Sequence, residues 1–230
     1  MATMDLSTVD HLLTSTRTVR KRLDLERPVD RGLILECLEL AVQAPTGSNL
    51  QAWRWVVVTD EEVRAGVADV YQRAIGPYNS FWDQSIDPSN KSLRRVVDSS
   101  IFLEKIMGEV PVLLIPCALG TTAQSEDFFS GLGYGGESLR NLVASGFYGS
   151  IWPAVWSFML AARSRGLGSA LTTMHLALER EMGELLGIPD TVTQLGIIPV
   201  AYFKGEDFKP AKRRPPEEIT YWDGWKNVRA

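Results

Sequence analysis

The longest apolar run in the chain, Val110–Leu119, sets the strongest limit on the fold. It is interrupted by Pro111 and Pro116 and is much shorter than the roughly 20 apolar residues that a bilayer-spanning helix needs. From Val112 onward it lacks the polar alternation of a half-exposed strand, so we predict a strand over Val112–Leu119 that is buried on both faces. We therefore expect a layered fold around this strand and no membrane association.

Turn residues and apolar periodicity divide the rest of the chain into further elements. Helices are predicted at Val29–Ala44, Ser92–Met107, Ser150–Ser164 and Glu179–Leu186, and strands at Trp53–Thr59, Ser169–Met174 and Gln194–Phe203. Thr59 and Glu62 form a capping box for a helix after the first strand, and Ser150 is the expected N-cap of its helix. Residues 75–90 are predicted to be irregular, and Thr121–Gly149 a mixture of helix and loop. Because helices and strands do not alternate strictly, we predict an α+β fold rather than a doubly wound sheet.

Composition excludes several classes of function. The 230 residues are 45% hydrophobic and 23% charged, with a formal net charge of −4, so nothing global indicates nucleic-acid binding. Met1–Leu13 has no basic start followed by an apolar core, and we expect a cytoplasmic protein. Cys37 and Cys117 are predicted to be reduced, buried thiols. With two cysteines and two histidines, a metal site or a Cys-His catalytic pair is hard to build, and we expect neither.

Two basic clusters stand out in this acidic chain. The first is Arg17–Arg22 and the second is Lys212–Arg214, which precedes two prolines. Either cluster taken alone is explained slightly better as a solvated surface. Together they favour the alternative of a phosphate pocket, because guanidinium groups form paired hydrogen bonds with phosphate oxygens and Thr18 adds a hydroxyl donor.

Two loops carry further motifs. Pro45–Gln51 contains Asn49 and Gln51, whose amides can donate and accept hydrogen bonds and suit a heterocycle with imide-like edges. An ordinary Asx-type turn explains the same residues equally well. Gly131–Gly136 matches the spacing G-x-G-x-x-G, but no strand precedes it and no acidic residue follows about twenty positions later. A dinucleotide-binding turn is therefore rejected for this second loop.

Taken together, these motifs resemble the FMN-dependent nitroreductase family. The family opens with roughly R-[ST]-x-R, a gap, and then A-P-[ST]-x-x-N-x-Q-x-W, and this chain has Arg17–Arg20 followed by Ala44–Trp53. Blocks similar to the later ones of the family follow in the same order at Gly166–Ser169, Leu185–Pro189, Ile198–Tyr202 and Lys212–Pro215. The resemblance covers both ends of the chain, and the middle is where family members diverge.

The resemblance implies an α+β fold in which a mainly antiparallel central sheet is flanked by helices and two chains interlock as a dimer. We expect one domain over residues 1–230, with a variable lid region at about 75–147 and an extended C-terminal arm at 204–230. The aromatic segment Tyr221–Trp225 would bury its rings on the partner chain of this homodimer. FMN would lie at the interface between the two chains.

The same resemblance implies which residues hold FMN. The phosphate and ribityl end would be bound by two groups of residues: Arg17, Thr18, Val19 and Arg20, and Lys212 and Arg214. The loop residues that would reach the flavin are Pro45, Thr46, Asn49 and Gln51, the last two from the second chain. Leu171, Thr172 and Thr173 would line the ring near N5, where several relatives have a glutamate or glycines. Whether Thr172 or Thr173 donates a hydrogen bond to N5 is therefore an open question.

The implied activity is that of an oxidoreductase whose chemistry is carried by FMN and not by a protein nucleophile. NADPH or NADH would reduce the flavin and leave, and a small aromatic acceptor such as a nitroaromatic or a quinone would follow, in a ping-pong mechanism. Trp82, Phe147 and Tyr148 are candidates for the acceptor pocket, although core packing is the more common role of such residues. Two alternatives on the same fold stay open: a flavin storage or sensing protein, and a reductive dehalogenase or flavin-fragmenting enzyme.

Overall fold

The computed structural model describes residues 5–227 and divides them into two compact units. The larger unit is Arg17–Gly205, and the smaller one combines residues 5–16 with residues 206–227. The single domain, the lid at about 75–147 and the arm at 204–230 stay predictions.

A mainly antiparallel sheet forms the centre of the larger unit. The described part of the chain contributes five strands to it: β1 Trp53–Val58, β2 Val112–Leu119, β3 Leu167–Ser169, β4 Val192–Gln194 and β5 Ile198–Tyr202. The order along the sheet is β1-β2-β5-β3, β4 also pairs with β2, and the strand pairs are antiparallel. Trp53 lies opposite Ala118, and Leu167 opposite Tyr202. This confirms the predicted α+β class.

Helices make up much of the remaining described chain. Within residues 5–227 the α-helices are α1 Leu6–Ser15, α2 Arg31–Ala41, α3 Glu61–Ser85, α4 Lys91–Ile106, α5 Thr122–Gly131, α6 Glu137–Gly149, α7 Trp152–Ser164 and α8 Glu179–Leu186. The helix α1 belongs to the smaller unit and the others to the larger one. The predicted helices at Ser92–Met107 and Glu179–Leu186 are thereby confirmed to within one residue.

The strand β2 is buried along almost its whole length, as its sequence predicts. Val112 and Leu114 belong to a core cluster with α2 and α7, to which Phe158 of α7 contributes its fully buried ring. Leu113 and Ile115 are equally buried. Since successive side chains of a strand point to opposite faces, both faces of β2 are covered.

The prediction of irregular structure at residues 75–90 is wrong for its first two thirds. The helix α3 continues without a break through Pro77 to Ser85. Tyr71, Ile75 and Asn79 recur at helical spacing and are all buried. A proline inside a helix costs about 3 kcal/mol, and this burial on one face offsets that cost.

Several predicted element boundaries also need correction. Asp60, not Thr59, caps α3, because its carboxylate accepts a hydrogen bond from Val63 N at 3.0 Å. Ser150 ends α6 instead of capping α7, which has Ile151 as its N-cap residue. The strand predicted at Ser169–Met174 stops at Ser169, and the one predicted at Gln194–Phe203 is divided into β4 and β5. These boundaries were predicted from local sequence signals, whereas the actual ends depend on contacts with residues distant in the chain.

The smaller unit contains one helix and a polar, aromatic segment in its described residues. Asp5 caps α1 by accepting a hydrogen bond from Ser7 N at 3.1 Å. Nε2 of His11 in α1 lies 2.5 Å from Oδ2 of Asp207. The rings of Tyr221 and Trp225 meet edge to face, with centroids 4.9 Å apart. Trp225 is 83% exposed, so the described residues leave most of its surface uncovered.

Candidate cofactor and acceptor site

The basic segment Arg17–Arg20 is attached to the edge of the sheet. Thr18 pairs with Ser169 of β3, and Val19 N donates to Ser169 O at 2.8 Å. Val19 is buried, and a Cβ added at Gly168 would lie 2.9 Å from its side chain. Gly168 therefore permits the close approach that holds this segment on β3.

Arg20 is partly buried and incompletely paired. Its Nη1 donates to Ser99 Oγ of α4 at 3.0 Å, and its buried Nε has no hydrogen-bond partner among residues 5–227. Burial lowers the pKa of Arg20, against an opposing influence of Tyr71. An arginine remains charged under all ordinary conditions. A buried cation with an unused donor is unfavourable unless an anion meets it.

Arg20 lines a cavity of about 380 Å³, which we call the Arg20 cavity. Its walls come from the basic segment, from α3 and α4, and from the stretch after β3. Four further residues of the predicted site line it: Leu171, Thr172, Thr173 and Trp82. Tyr71, which also lines it, has its hydroxyl 3.2 Å from Thr172 Oγ1, and burial raises the pKa of this tyrosine. The structure therefore brings part of the predicted flavin site together.

The loop at Pro45–Gln51 forms a tight, preformed turn. Ser48, Asn49 and Gln51 have φ angles of 52°, 52° and 50°, in the left-handed region that non-glycine residues seldom adopt. Asn49 N donates to Thr46 O at 3.1 Å, and Gln51 Nε2 donates to Asn49 Oδ1 at 3.0 Å. Pro45, Asn49 and Gln51 are exposed. Strained backbone that its surroundings hold in place is often a mark of a functional site.

This turn borders a second cavity, of about 600 Å³, which we call the α5–α6 cavity. Gly47, Ser48 and Leu50 form one wall, and Phe147 and residues of α5 and α6 form the others. Trp82 and Phe147, both predicted for one acceptor pocket, therefore line different cavities of the chain. Tyr148 packs on the core cluster with its ring centroid 5.2 Å from that of Phe147. The role of these three residues in acceptor binding stays a prediction.

The second basic cluster belongs to the smaller unit. Lys212 and Arg214 are both exposed there, and the guanidinium of Arg213 donates to Lys212 O at 3.3 Å. Their part in phosphate binding stays a prediction, as does that of Arg17, which is partly buried in the larger unit.

Sequence reasoning missed the polar residues that α3 and α4 bring to the Arg20 cavity. Asn79 Nδ2 donates to Glu104 Oε2 at 2.5 Å, and Ser100 Oγ donates to Asn79 Oδ1 at 2.9 Å. Both Asn79 and Ser100 line the cavity. The spacing of Tyr71, Ile75 and Asn79 was the available signal, because it places a buried amide on the apolar face of a helix.

Other titratable residues of the larger unit are buried and carry perturbed pKa values. Burial raises the pKa of Cys117 to about 12 and also raises that of Cys37, so both free thiols stay protonated at neutral pH. Burial lowers the pKa of His175 to about 4, and the amide of Gln194 offsets this only in part. Residues 5–227 contain no group of three or more His, Cys, Asp or Glu side chains that could hold a metal ion. Within the same residues, no helix is both long enough and apolar enough to cross a membrane.

Comparison with known proteins identifies relatives over most of the chain. A model of the Nitroreductase family matches residues 13–202. Iodotyrosine deiodinase of Thermotoga neapolitana is 26% identical over 211 residues, which are 91% of this chain and 95% of that protein. NADH dehydrogenase of Thermus thermophilus is 25% identical over 217 residues, 92% and 97% of the two chains. The crystal structure of an oxidized iodotyrosine deiodinase bound to FMN and 3-iodo-L-tyrosine superposes with a TM-score of 0.63 at 23% identity, covering 93% of this chain and 97% of that one.

Proposed function

This chain belongs to the nitroreductase family, and we propose that it is an FMN-dependent oxidoreductase that uses NADPH or NADH to reduce small organic acceptors such as nitroaromatics or quinones. The observation that carries the proposal is the Arg20 cavity, where an incompletely paired cation and the Leu171–Thr173 stretch line one space. The relatives named as an NADH dehydrogenase and a deiodinase support an oxidoreductase. FMN is a ligand of the solved deiodinase and here is part of the proposal.

The residues around Arg20 fit the phosphate end of FMN. The buried Nε of Arg20 offers a donor that no described residue uses. Thr18 is exposed beside it in sequence and offers a hydroxyl donor. Charge-assisted hydrogen bonds from a guanidinium to a phosphate are about twice as strong as neutral ones. Arg17, Lys212 and Arg214 would add positive charge at the same end.

The residues near the ring would hold it without taking part in bond making. FMN when bound supplies the acceptance and release of hydride at its N5. Leu171 offers an apolar face in the Arg20 cavity, and Thr172 has its hydroxyl fixed by Tyr71. Asn49 and Gln51 would place amide donors and acceptors at the polar edge of the ring, where negative charge is stabilised by fixed hydrogen bonds.

A ping-pong mechanism is part of the same proposal. The Arg20 cavity measures about 380 Å³, within the roughly 300–1,000 Å³ common for ligand pockets, and would take part of FMN. The nicotinamide and the acceptor would then bind in turn beside the exposed face of the ring, each within the roughly 3–3.5 Å that transfer requires.

A homodimer is part of the same proposal. In one chain, the turn residues Ser48 and Leu50 border the α5–α6 cavity, whereas Arg20 borders the other one. A site that uses both the turn and Arg20 would be completed by a second chain. The exposed rings of Trp222 and Trp225 would be covered in the same assembly.

The proposal is tested by a visible absorption spectrum of the purified protein, repeated without oxygen after addition of NADPH and then NADH. We expect flavin bands that bleach with at least one of the two donors. Persistent bands would support a storage or sensing protein and contradict electron transfer from nicotinamides. A protein that has no flavin bands even after FMN is supplied would contradict the whole proposal.

Reductive dehalogenation is the second candidate. It is favoured by the similarity to an iodotyrosine deiodinase, which extends over 91% of this chain. Release of iodide from 3-iodo-L-tyrosine under reducing conditions would support it. Reduction of a nitroaromatic without such release would support the first candidate.

A further inference from the structure

The stretch after β3 lines the Arg20 cavity with part of its backbone already bonded. Thr172 N donates to Ile197 O at 3.0 Å, and Ile197 N donates to Thr172 O at 2.8 Å. A Cβ added at Gly196 would lie 3.0 Å from Thr172 O, so the two segments pack closely. The amide hydrogen of Thr172 is therefore used within the chain, and its hydroxyl is the donor that remains for a ligand.

The neighbour of this hydroxyl is Tyr71 of α3. Tyr71 Oη lies 3.2 Å from Thr172 Oγ1, and either oxygen could be the donor by distance alone. Tyr71 is 1% exposed, whereas Thr172 is partly exposed and lines the cavity. A threonine hydroxyl has one hydrogen, so the direction of this bond decides whether Thr172 offers the cavity a donor or only lone pairs.

Two observations make Tyr71 the donor. Thr172 Oγ1 is the only hydrogen-bond partner of the phenol among residues 5–227, so a bond donated by Thr172 would leave the phenol hydrogen buried without an acceptor. Burial raises the pKa of Tyr71, and the charge of Arg20 acts in the opposite direction, more strongly than Glu104 acts against it. A nearby cation attracts the oxygen lone pairs and repels the hydroxyl hydrogen, which favours a hydrogen that points away from Arg20 and to Thr172.

We propose that Tyr71 is a positioning residue that donates to Thr172 Oγ1 and thereby leaves the Thr172 hydroxyl hydrogen to a ligand in the Arg20 cavity. The cavity then recognises a hydrogen-bond acceptor at this point. In the proposed function, on which this step rests, the acceptor is N5 of the oxidised flavin. The donor is assigned to Thr172 and not to the exposed Thr173.

The first test measures the direction of the bond by urea unfolding of the protein without flavin. Thr172→Val leaves the phenol hydrogen unpaired and should raise the unfolding equilibrium constant about fivefold or more. In a Tyr71→Phe background the same replacement should cost much less, because removal of both partners leaves no buried group unpaired. Thr173→Val is the matched control and should cost the same in both backgrounds. Equal costs of Thr172→Val in the two backgrounds would overturn the inference, as would a Tyr71→Phe variant less stable than Thr172→Val.

The second test compares two flavins that differ at one ring position. In 5-deaza-FMN a carbon replaces N5, so the acceptor is missing. Dissociation constants are measured by fluorescence titration, and FMN should bind the unmodified protein about two- to tenfold more tightly, the range for one hydrogen bond. The preference should be absent in Thr172→Val and retained in Thr172→Ser. In Tyr71→Phe it should be smaller, by up to about threefold, because a released hydroxyl has three staggered orientations.

The two tests separate the inference from the proposed function. If neither flavin binds while Tyr71 and Thr172 remain coupled in urea unfolding, the assignment of FMN is wrong and the direction of the Thr172 hydroxyl is kept. Equal binding of both flavins by the unmodified protein would overturn the inference. A full preference for FMN in Tyr71→Phe would also overturn it, because Thr172 would then need no partner to hold its hydroxyl.

Discussion

Two cavities of the larger unit, the Arg20 cavity and the α5–α6 cavity, differ in the polarity of their walls. In the Arg20 cavity a buried guanidinium nitrogen has no partner among the described residues, and several hydroxyls point to the same space. In the α5–α6 cavity Thr121, Gln124 and Ser125 form hydrogen bonds at the start of α5, and the larger apolar side chains form much of the wall. A buried donor without a hydrogen-bond partner favours a ligand that carries an anionic group, whereas an apolar wall favours a ligand with apolar surface.

This difference suggests a division of tasks between anchoring and selection. The Arg20 cavity is connected to the sheet through β3 and to α4 through Ser99, so its charge is held in place. The α5–α6 cavity is lined by a helical pair with three aromatic rings and by one strained turn. In the proposed function, binding of the FMN phosphate would depend on the Arg20 cavity.

The largest effect is expected from pH, through the buried His175, which follows the cavity-lining Met174 in the chain. The pKa of His175 is about 4 in the folded chain and 6.5 in an unfolded one, so the unfolded chain binds more protons between these values. Stability contributed by the neutral ring is complete above pH 6.5 and is lost as the pH falls toward 4. The loss amounts to roughly 3 kcal/mol.

His175→Leu provides the control for this prediction, because it removes the titrating ring. Urea unfolding at pH 7 and pH 4 should show a larger drop in the unmodified protein than in the variant. An equal drop in both would mean that His175 has the same pKa in the folded chain as in the unfolded one, which would contradict its burial.

The next effect concerns Arg20, which is proposed to bind the phosphate of FMN. Arg20→Ala should weaken FMN binding by about 1.5–3 kcal/mol, or about ten- to a hundredfold, since a charge-assisted hydrogen bond is lost. Lys21→Ala removes an equal charge from an exposed neighbour and should change the affinity little. Both are measured by fluorescence titration with FMN. Equal FMN affinity of the two variants would contradict the proposed role of Arg20 in binding the phosphate.

A smaller loss, of folding stability, is expected where the segment Arg17–Arg20 packs on β3. In Gly168→Ala the new Cβ would lie 2.9 Å from Val19, and such overpacking costs about 1–3 kcal/mol. Gly149→Ala, which has no heavy atom within 4 Å of its added Cβ, is the matched control. Thermal unfolding should separate the two, and an unaffected Gly168→Ala would show that the basic segment can move away from β3.

The smallest effect belongs to the strained turn. Ser48→Gly relieves left-handed strain of about 1–2 kcal/mol and adds unfolded-state entropy of about 0.4–1 kcal/mol, so the net change should be about 1 kcal/mol or less. Ser48→Ala retains the strain and should resemble the unmodified protein in urea unfolding. A loss beyond about 2 kcal/mol in either variant would assign the shape of the turn to the Ser48 side chain and not to its neighbours' hydrogen bonds.

Local sequence patterns correctly predicted the elements that have a strong and uninterrupted pattern. The strand β2 follows from one apolar run, and α8 follows from a short periodic stretch closed by Gly187, which adopts the left-handed conformation. The helix α3 shows where this reasoning fails. Gly76 and Pro77 are local breakers, and the burial that sustains the helix past them depends on partners elsewhere in the chain.

The site was predicted in part for the same reason. Arg20 and Thr172 come from short motifs that resemble a family, and the structure places both in one cavity. Ser99 lies 79 positions from Arg20 in the chain, and no local pattern pairs them. The capping box at Thr121 is visible in the sequence, but its consequence for the cavity requires the position of α5.

The contact between Val19 and Gly168 has a consequence for the length of the N-terminal segment. Because neighbouring residues of an extended segment face opposite ways, a one-residue deletion before Val19 would bring Arg20 to the buried position and move Val19 into solvent. A one-residue insertion or deletion between Arg17 and Val19 is therefore expected to prevent FMN binding in the proposed function.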